Sequence, residues 1–403
     1  MRVLISSYSF GAGRGSEAGV GWNIASGLAA RGHDVCVVTT SEFHHLNAAA
    51  LEKSDLPLRL VEFDTGINCF NSSRSYRRWQ RAVGPELRRL VAEQSYDLIH
   101  HVTFNQYRAL RDVFEVDIPY VIGPIGGAET VHPRFWQELP LSMAMKEAVR
   151  YIPWDVLPLK YRIAATSANG IVLASTPQTA ERLKRHGGLH NVKLTPVISL
   201  HDEEILQSGP QGAQEQYFVF DGGARPEKGL KLMLRALSAL WRAGVKCPLK
   251  VAAVDAAAKH WVLRYAQRVG LPLEALELLP FMPRVELLNI LRGACGFVSV
   301  GFRDAGCMAL LEAIAQGVPS LCLDLAGQHW LPSEYVIKVP VDAPDIEHRI
   351  TEALHELVCQ QSKPAEWHIA RADWLRNHMS WRVRLDYLEQ IYGELLEASA
   401  KSS

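Results

Sequence analysis

Short apolar runs alternate with helix-patterned stretches along almost the whole chain, and this alternation limits the fold more than any other feature. Val3–Ser7 is followed by a helix near Glu17–Ala30 and then by Val35–Thr39; Leu98–His101, Tyr120–Ile122, Ile171–Ala174 and Val192–Val197 continue the series, with a helix from Pro177. Strands separated by helices do not pair as hairpins but run parallel, so the expected class is α/β, with ligands gathering at the carboxyl ends of the strands. The series halts at HDEEILQSGPQGAQEQ (His201–Gln216), a polar stretch rich in Gln and Gly that reads as a linker. A second series follows with Tyr217–Asp221, a helix from about Glu227, Leu249–Val254 and Phe297–Val300. At 403 residues the chain exceeds one ordinary core, and two units are expected, divided near residue 200.

Composition excludes several classes. Lys plus Arg equals Asp plus Glu, 43 each, a balance that argues against a nucleic-acid binder. The seven cysteines (Cys36, Cys69, Cys247, Cys295, Cys307, Cys322, Cys359) are scattered and never spaced as CxxC, which reads as a reducing, cytoplasmic setting. The first residues, MRVLISSYSFGAG, lack the h-region and cleavage pattern of a signal peptide, and no window reaches ~18 uninterrupted apolar residues. His44–His45 and His186 with His190 have no matching set of further ligands, so no metal is expected.

The stretch GFRDAGCMALLEAIAQGVPSLCLDLAG carries the sharpest chemical signal. Between Ala305 and Gln316 every residue is apolar or small except Glu312. A helix apolar all round is buried, and a lone carboxylate inside it must be paired, hydrogen-bonded or liganded. Either a structural salt bridge satisfies Glu312 or a ligand does. Asp304, at the mouth of the helix, is either an N-cap or a second ligand group. With Gly306 and the first-turn amides offering an anion site, a phosphate fits there, ribose hydroxyls suit Glu312, and sugar hydroxyls suit Asp304. Together these groups suit a sugar nucleotide.

Two glycine-bearing turns add to this. FDGGARPEKGL places Gly222, Gly223, Arg225 and Lys228 between a strand and a helix, where two cations either clamp a diphosphate or belong to a solvated turn. SFGAGRGSEAGVGW, with Gly15, Ser16, Glu17 and Gly19, joins the first strand to the first helix as an anion-binding loop or a plain turn. It lacks the GxGxxG fingerprint, which counts against a nicotinamide-dependent oxidoreductase.

Asp304 and Glu312, eight apart in RDAGCMALLEAIAQGVP, resemble the E-x7-E segment of the retaining glycosyltransferases of family 4, which have the GT-B fold. The resemblance extends through GSEAGVGWNIASGLAARGHDVCVVTT, DLIHHVTF, VIGPIGGAE, GGARPEKGLKLMLRAL and MSWRVRLDYLEQIYGELL, and is nearest to bacterial members that build exopolysaccharides and other surface glycans. It implies two Rossmann-like parallel-sheet domains facing across a cleft: residues 1–200 on the acceptor side, completed by a helix at about 381–403, and 201–380 binding the nucleotide sugar. It further implies that Lys228 and Arg225 hold the diphosphate, Glu312 the ribose and Asp304 the transferred sugar. The base would lie near Phe281, Met282 and Pro283, with Gly306, Cys307 and Met308 completing the donor site. On the acceptor side, His101, Gly127 and the first loop would contribute, and Glu129 or a main-chain carbonyl of GPIGGAE would assist catalysis in place of the family's His-Asp pair.

Two departures stand out. The first acid is Asp304 rather than Glu, and Gly223 stands where the family's phosphate arginine is expected, with Arg225 two positions on. They leave room for a non-catalytic nucleotide-sugar-binding partner subunit as a rival reading. The resemblance implies a nucleotide-sugar donor, a glycan or lipid-linked acceptor, retention of configuration and no cofactor. Arg74, Arg78 and Arg81, spaced for one helix face with Trp79 close by to enter an interface, form either an ordinary solvated face or, if the acceptor is lipid-linked, a stripe that meets an anionic membrane surface peripherally.

Overall fold

The computed structural model describes residues 1–66, 72–104, 106–152, 169–209, 216–359 and 363–402, without the side chains of Ser16, Ala326 and Ser402. Two compact units result: one of residues 1–129, 152–199 and 381–403, the other of residues 130–151 and 200–380.

In the first unit β1 (Arg2–Ser7), β2 (Asp34–Thr39), β3 (Leu58–Glu62), β4 (Leu98–Thr103), β5 (Tyr120–Ile125), β6 (Gly170–Ala174) and β7 (Val192–Leu194) form one parallel sheet ordered β3-β2-β1-β4-β5-β6-β7. The strands read as unbroken apolar runs because both faces are covered. Their period of two divides side chains between two cores. Val3, Ile5, Val35, Val37, Leu98, Val121, Ile171 and Leu173 enter one; Leu4, Cys36, Val38, Ile99, Ile122, Val172 and Ala174 enter the other.

The first core is closed by Val20, Ile24 and Leu28 of the helix Ser16–Ala30 and by Trp381, Leu385, Leu388, Ile391 and Leu395 of the 22-residue helix Trp381–Ser402. That last helix is also pinned by polar contacts. His100 Nε2 donates to the Gly123 carbonyl at 2.7 Å, and its Nδ1 accepts from Tyr392 Oη at 2.6 Å. Burial pushes the imidazole down to about 3, so it remains neutral.

The second unit is a parallel sheet of β8 (Phe218–Phe220), β9 (Leu249–Val251), β10 (Leu276–Leu278), β11 (Gly296–Ser299), β12 (Ser320–Asp324) and β13 (Ile337–Pro340), ordered β10-β9-β8-β11-β12-β13. Residues 130–151, which the sequence reading placed with the first 200 residues, pack here. Val131, Phe135 and Leu139 enter the second unit's core, Phe135 stacks on Phe302 at 4.4 Å, and Glu138 pairs with Arg235 at 2.6 Å.

Much of the stretch read as a linker is likewise built in. Asp202–Glu204 form a 3-10 turn, the Leu206 amide donates to Ala315 O at 3.1 Å, and residues 210–215 lie outside the described residues. A further correction concerns Trp79. Its ring is buried against Tyr8, and Nε1 donates to Phe63 O at 2.9 Å, so it is a core residue; Arg74, Arg78 and Arg81 are exposed on the same helix, Ser73–Ala82. Among the described residues no helix is long and apolar enough to cross a membrane.

Candidate active site

Strand order reverses in the second sheet between β8 and β11, and ligands of open α/β sheets bind beyond the carboxyl ends at such a point. Beyond β8 the chain turns through Asp221, Gly222 and Gly223, makes a 3-10 turn at Pro226–Lys228 and enters the helix Leu230–Arg242. Gly223 (φ +59°) leaves only 2.3 Å between a would-be Cβ and the Ala253 carbonyl; at Gly229 (φ +78°) the gap to the Val300 carbonyl is 2.2 Å. No side chain fits either position. The Phe302 amide donates to Glu227 O at 2.8 Å, which seats the turn after β8 against the loop after β11.

This seating brings Lys228 to Asp304. Lys228 Nζ donates to Asp304 Oδ2 at 2.7 Å, with the two side chains 19% and 17% exposed, and Asp304 Oδ1 accepts from the Gly306 amide at 3.1 Å. Burial alone would lower the ammonium's pKa, but the adjacent Asp304 charge raises it above the usual lysine value. Lys228 is thus a fixed cation, mostly buried but still reached by solvent. Asp221, nearly enclosed beside it, is pushed up by burial, against the pull of Lys228.

Cys307 caps the helix Met308–Ala315; burial and Asp304 push its thiol up to about 11, so it is a neutral sulfhydryl rather than a nucleophile. Gly306, Cys307 and Met308 therefore stand at the helix start, where the Gly306 amide is held by Asp304 and the first-turn amides have no partner within the helix, an arrangement that suits an anion.

Glu312 lies on the same helix with its side chain 5% exposed, and it is paired: Arg284 Nε donates to Oε1 at 2.5 Å, while Arg284 Nη2 lies 2.7 Å from Glu204 Oε1. Desolvation raises the Glu312 carboxyl above its usual range, and Arg284 opposes the rise. Arg284 opens the helix that follows Phe281, Met282 and Pro283; Phe281 is 82% exposed and Met282 half-buried. Arg225 is not brought to Asp304. It is exposed, donates weakly to Gly222 O at 3.4 Å, and lines a separate cavity with Lys231 and Trp261.

In the first unit the reversal falls between β1 and β4. Gly15 caps the helix Ser16–Ala30 without a side-chain bond, Glu17 lies in its first turn, and Gly19 is buried against the Arg14 carbonyl. The loop is pinned by buried Asn47, whose Oδ1 accepts from the Ala12 amide at 2.9 Å and whose Nδ2 donates to Phe10 O at 3.0 Å. His101 is wholly enclosed: Nδ1 lies 2.7 Å from Asp112 Oδ2, and Nε2 lies 3.2 Å from Tyr76 Oη. Ser6 donates to the same Asp112 oxygen. Glu129 is buried too, with Oε1 accepting from Thr176 and Thr179 hydroxyls at 2.6 and 2.7 Å, and Oε2 from the Gly127 amide at 2.7 Å. It holds the loop after β5 to the helix Pro177–Gly187.

Sequence reading missed Asp221, Arg284, Asp112 and Asn47. Asp221 had a signal, an acid directly before Gly-Gly at the end of an apolar strand. Arg284 had only an indirect one: an isolated Glu312 demands a cation, but nothing local says which.

Residues 20–197 match the model described as Glycosyltransferase Family 4, and residues 201–370 match Glycosyl transferases group 1. No curated protein matches the sequence. Solved structures similar to the chain include sucrose-phosphate synthase from Thermosynechococcus elongatus (14% identity, 98% of this chain and 99% of that one, TM-score 0.68). Anabaena Alr3699/HepE in complex with UDP and glucose is 11% identical over 98% and 100% of the two chains, with a TM-score of 0.62. WaaG, a glycosyltransferase involved in lipopolysaccharide biosynthesis, is 16% identical over 94% and 95%, with a TM-score of 0.57. At such identities the likeness speaks to fold alone. Together with the two domain matches and the paired parallel sheets, it places the chain among the GT-B glycosyltransferases, with a family 4 domain followed by a group 1 domain.

Proposed function

We propose that this glycosyltransferase acts with retention of configuration, moving a sugar from a nucleotide-sugar donor to a glycan or lipid-linked glycan in surface-polysaccharide synthesis. The observation that carries the reading is the Lys228–Asp304 pair beside the start of the helix Met308–Ala315, at the point where the second sheet reverses. A diphosphate seated there meets a fixed ammonium and oriented amides. As the anomeric C–O bond breaks, its electrons pass to the phosphate oxygen, and these groups stabilise the growing charge. The acceptor hydroxyl attacks from the face the diphosphate leaves and gives its proton to the departing phosphate oxygen, so no covalent enzyme intermediate is needed. Asp304 then exchanges part of its hold on Lys228 for the hydroxyls of the donor sugar. Glu312, held by Arg284, faces the ribose. Glu129 stays a loop anchor. The protein works in the cytoplasm, at the inner face of the membrane.

Thermal shifts with UDP, GDP, ADP and dTDP identify the base, since stabilisation grows with the logarithm of ligand concentration over Kd. Turnover with the matching sugar nucleotides is then followed by NMR of the anomeric proton in the product, in the presence and absence of EDTA. Retention and chelator-resistant turnover are expected; inversion, or activity abolished by EDTA and restored by magnesium, overturns the mechanism.

A further inference from the structure

The helix Leu141–Arg150 in the second unit is apolar on both faces: Met143 and Ala144 pack against the core, and a second apolar set faces outward. Its acid, Glu147, is buried, accepting from the Val131 amide at 3.2 Å and pairing with Arg303 at 2.5 Å and Arg150 at 3.2 Å. Three large apolar side chains nevertheless point outward: Leu141 is 77% exposed, Met145 63% and Val149 49%. Spaced i, i+4 and i+8, they share one face, and Lys146 and Ser142 are the exposed polar residues beside them. No carboxylate of this helix is exposed.

Pro140, which caps the start of this helix, lines a cavity of about 410 Å³ with Ala224, Leu230, Trp261 and Phe302. Two cations also line it. Arg225 pairs loosely with Glu227 at 4.0 Å, and Lys231 stands 5.9 Å from the Tyr265 ring. Glu138 at the rim is engaged by Arg235. Lys228, Asp304 and Glu312 are not among the lining residues.

Apolar walls with two cations, continuing into an apolar helix face flanked by lysine, complement an anion that carries an apolar chain. A bare phosphate leaves the walls uncovered, and a neutral lipid leaves the cations uncompensated. A second copy of the chain fits poorly, because stable protein interfaces use about 20–30 residues a side, far more than one short helix face offers.

We propose that this cavity takes the phosphate end of a lipid phosphate, and that Leu141, Met145 and Val149 lie in the lipid surface from which it comes. The inference rests on the lipid-linked acceptor proposed above and deepens it: Glu147, on the inner face of the same helix, grips Arg303, the neighbour of Asp304, so lipid docks within the unit that carries the Lys228–Asp304 pair.

The test is co-sedimentation of the full-length protein with phosphatidylcholine vesicles, with and without phosphatidic acid. Parallel arms add inorganic phosphate as competitor and use the variants Met145→Glu/Val149→Glu and Lys231→Glu. Expected are binding that requires phosphatidic acid and resists millimolar phosphate, loss of binding in the double variant, and roughly fivefold weaker binding in Lys231→Glu. Donor-nucleotide thermal shifts should be unchanged in both. Equal binding to neutral vesicles, full displacement by inorganic phosphate, or wild-type binding by the double variant overturns the proposal. So does a concentration-dependent dimer abolished by the double variant. Transfer to a soluble acceptor is measured alongside: its persistence when vesicle binding fails leaves the transferase reading standing, and its absence when vesicles still bind removes that reading instead.

Discussion

The two sheets reverse strand order in the same way, yet the polar groups at the two reversals are disposed differently. At the first, Ser6, Tyr76, His101 and Asp112 are fully enclosed and bonded to one another. At the second, Lys228, Asp304 and Arg284 keep part of their surface in solvent, and only Glu312 is buried. A closed, satisfied network rigidifies a core and has little left to offer a ligand, whereas an ion pair that solvent still reaches can exchange one partner for a substrate group. Shared topology marks where chemistry is possible; burial of the polar groups decides which reversal holds charge ready for it.

Substitutions can break this contrast. The largest effect on stability is expected at Asp112: Asp112→Ala leaves His101 and Ser6 without their shared acceptor and should cost about 3–5 kcal/mol in denaturant unfolding, with donor-nucleotide affinity unchanged. A fall in nucleotide affinity with intact stability would reverse the roles assigned to the two reversals. Lys228→Ala should do the opposite, lowering kcat by about 10²–10³-fold while thermal stability barely moves. A kcat within threefold of wild type removes Lys228 from the chemistry.

Acidification sharpens the comparison. His100, folded at about 3 against 6.5 unfolded, costs the first unit up to roughly 1.4 kcal/mol of stability for each pH unit between those values, because the unfolded chain binds the proton that the folded one refuses. Asp112, held below the usual carboxylate range, contributes stability that is present above its unfolded pKa and is lost as pH falls through the folded one. Glu312 and Asp221 are raised by burial, so their ionisation opposes folding at neutral pH and the second unit gains as pH falls through their folded values. Amide exchange read by mass spectrometry from pH 7 to 4 should show the first unit losing protection before the second, and His100→Gln should flatten its profile. The reverse order would contradict both assignments.

The smallest effect is expected at Glu312. Glu312→Ala should weaken donor-nucleotide binding by about 1.5–3 kcal/mol, tenfold or more, and Glu312→Gln should retain more of it. Unchanged affinity in calorimetry would make the Arg284–Glu312 pair purely structural.

Strand–helix alternation placed both sheets, because an unbroken apolar run and a helical face are local patterns. His101 and Glu129 were picked out as polar residues beside strand ends, but their enclosure was invisible, since it depends on Tyr76, Asp112, Thr176 and Thr179 from other parts of the chain. Trp79 looked like an interface residue beside three arginines and turned out to face Tyr8. A helix face is periodic in sequence, but which face meets the sheet is set by what packs there.

By itself the sequence determined the α/β class, the two units, and the placement of Lys228, Asp304 and Glu312 at strand-end turns and on a buried helix, because glycine turns and an acid in an apolar run are constraints written within a few residues. Tertiary structure alone decided that Lys228 closes on Asp304 across 76 positions, that Arg284 answers Glu312 across 28, and that residues 130–151 join the second unit. Pairing of buried charges is a condition on space, and any cation the fold brings within reach satisfies it, whatever its distance along the chain.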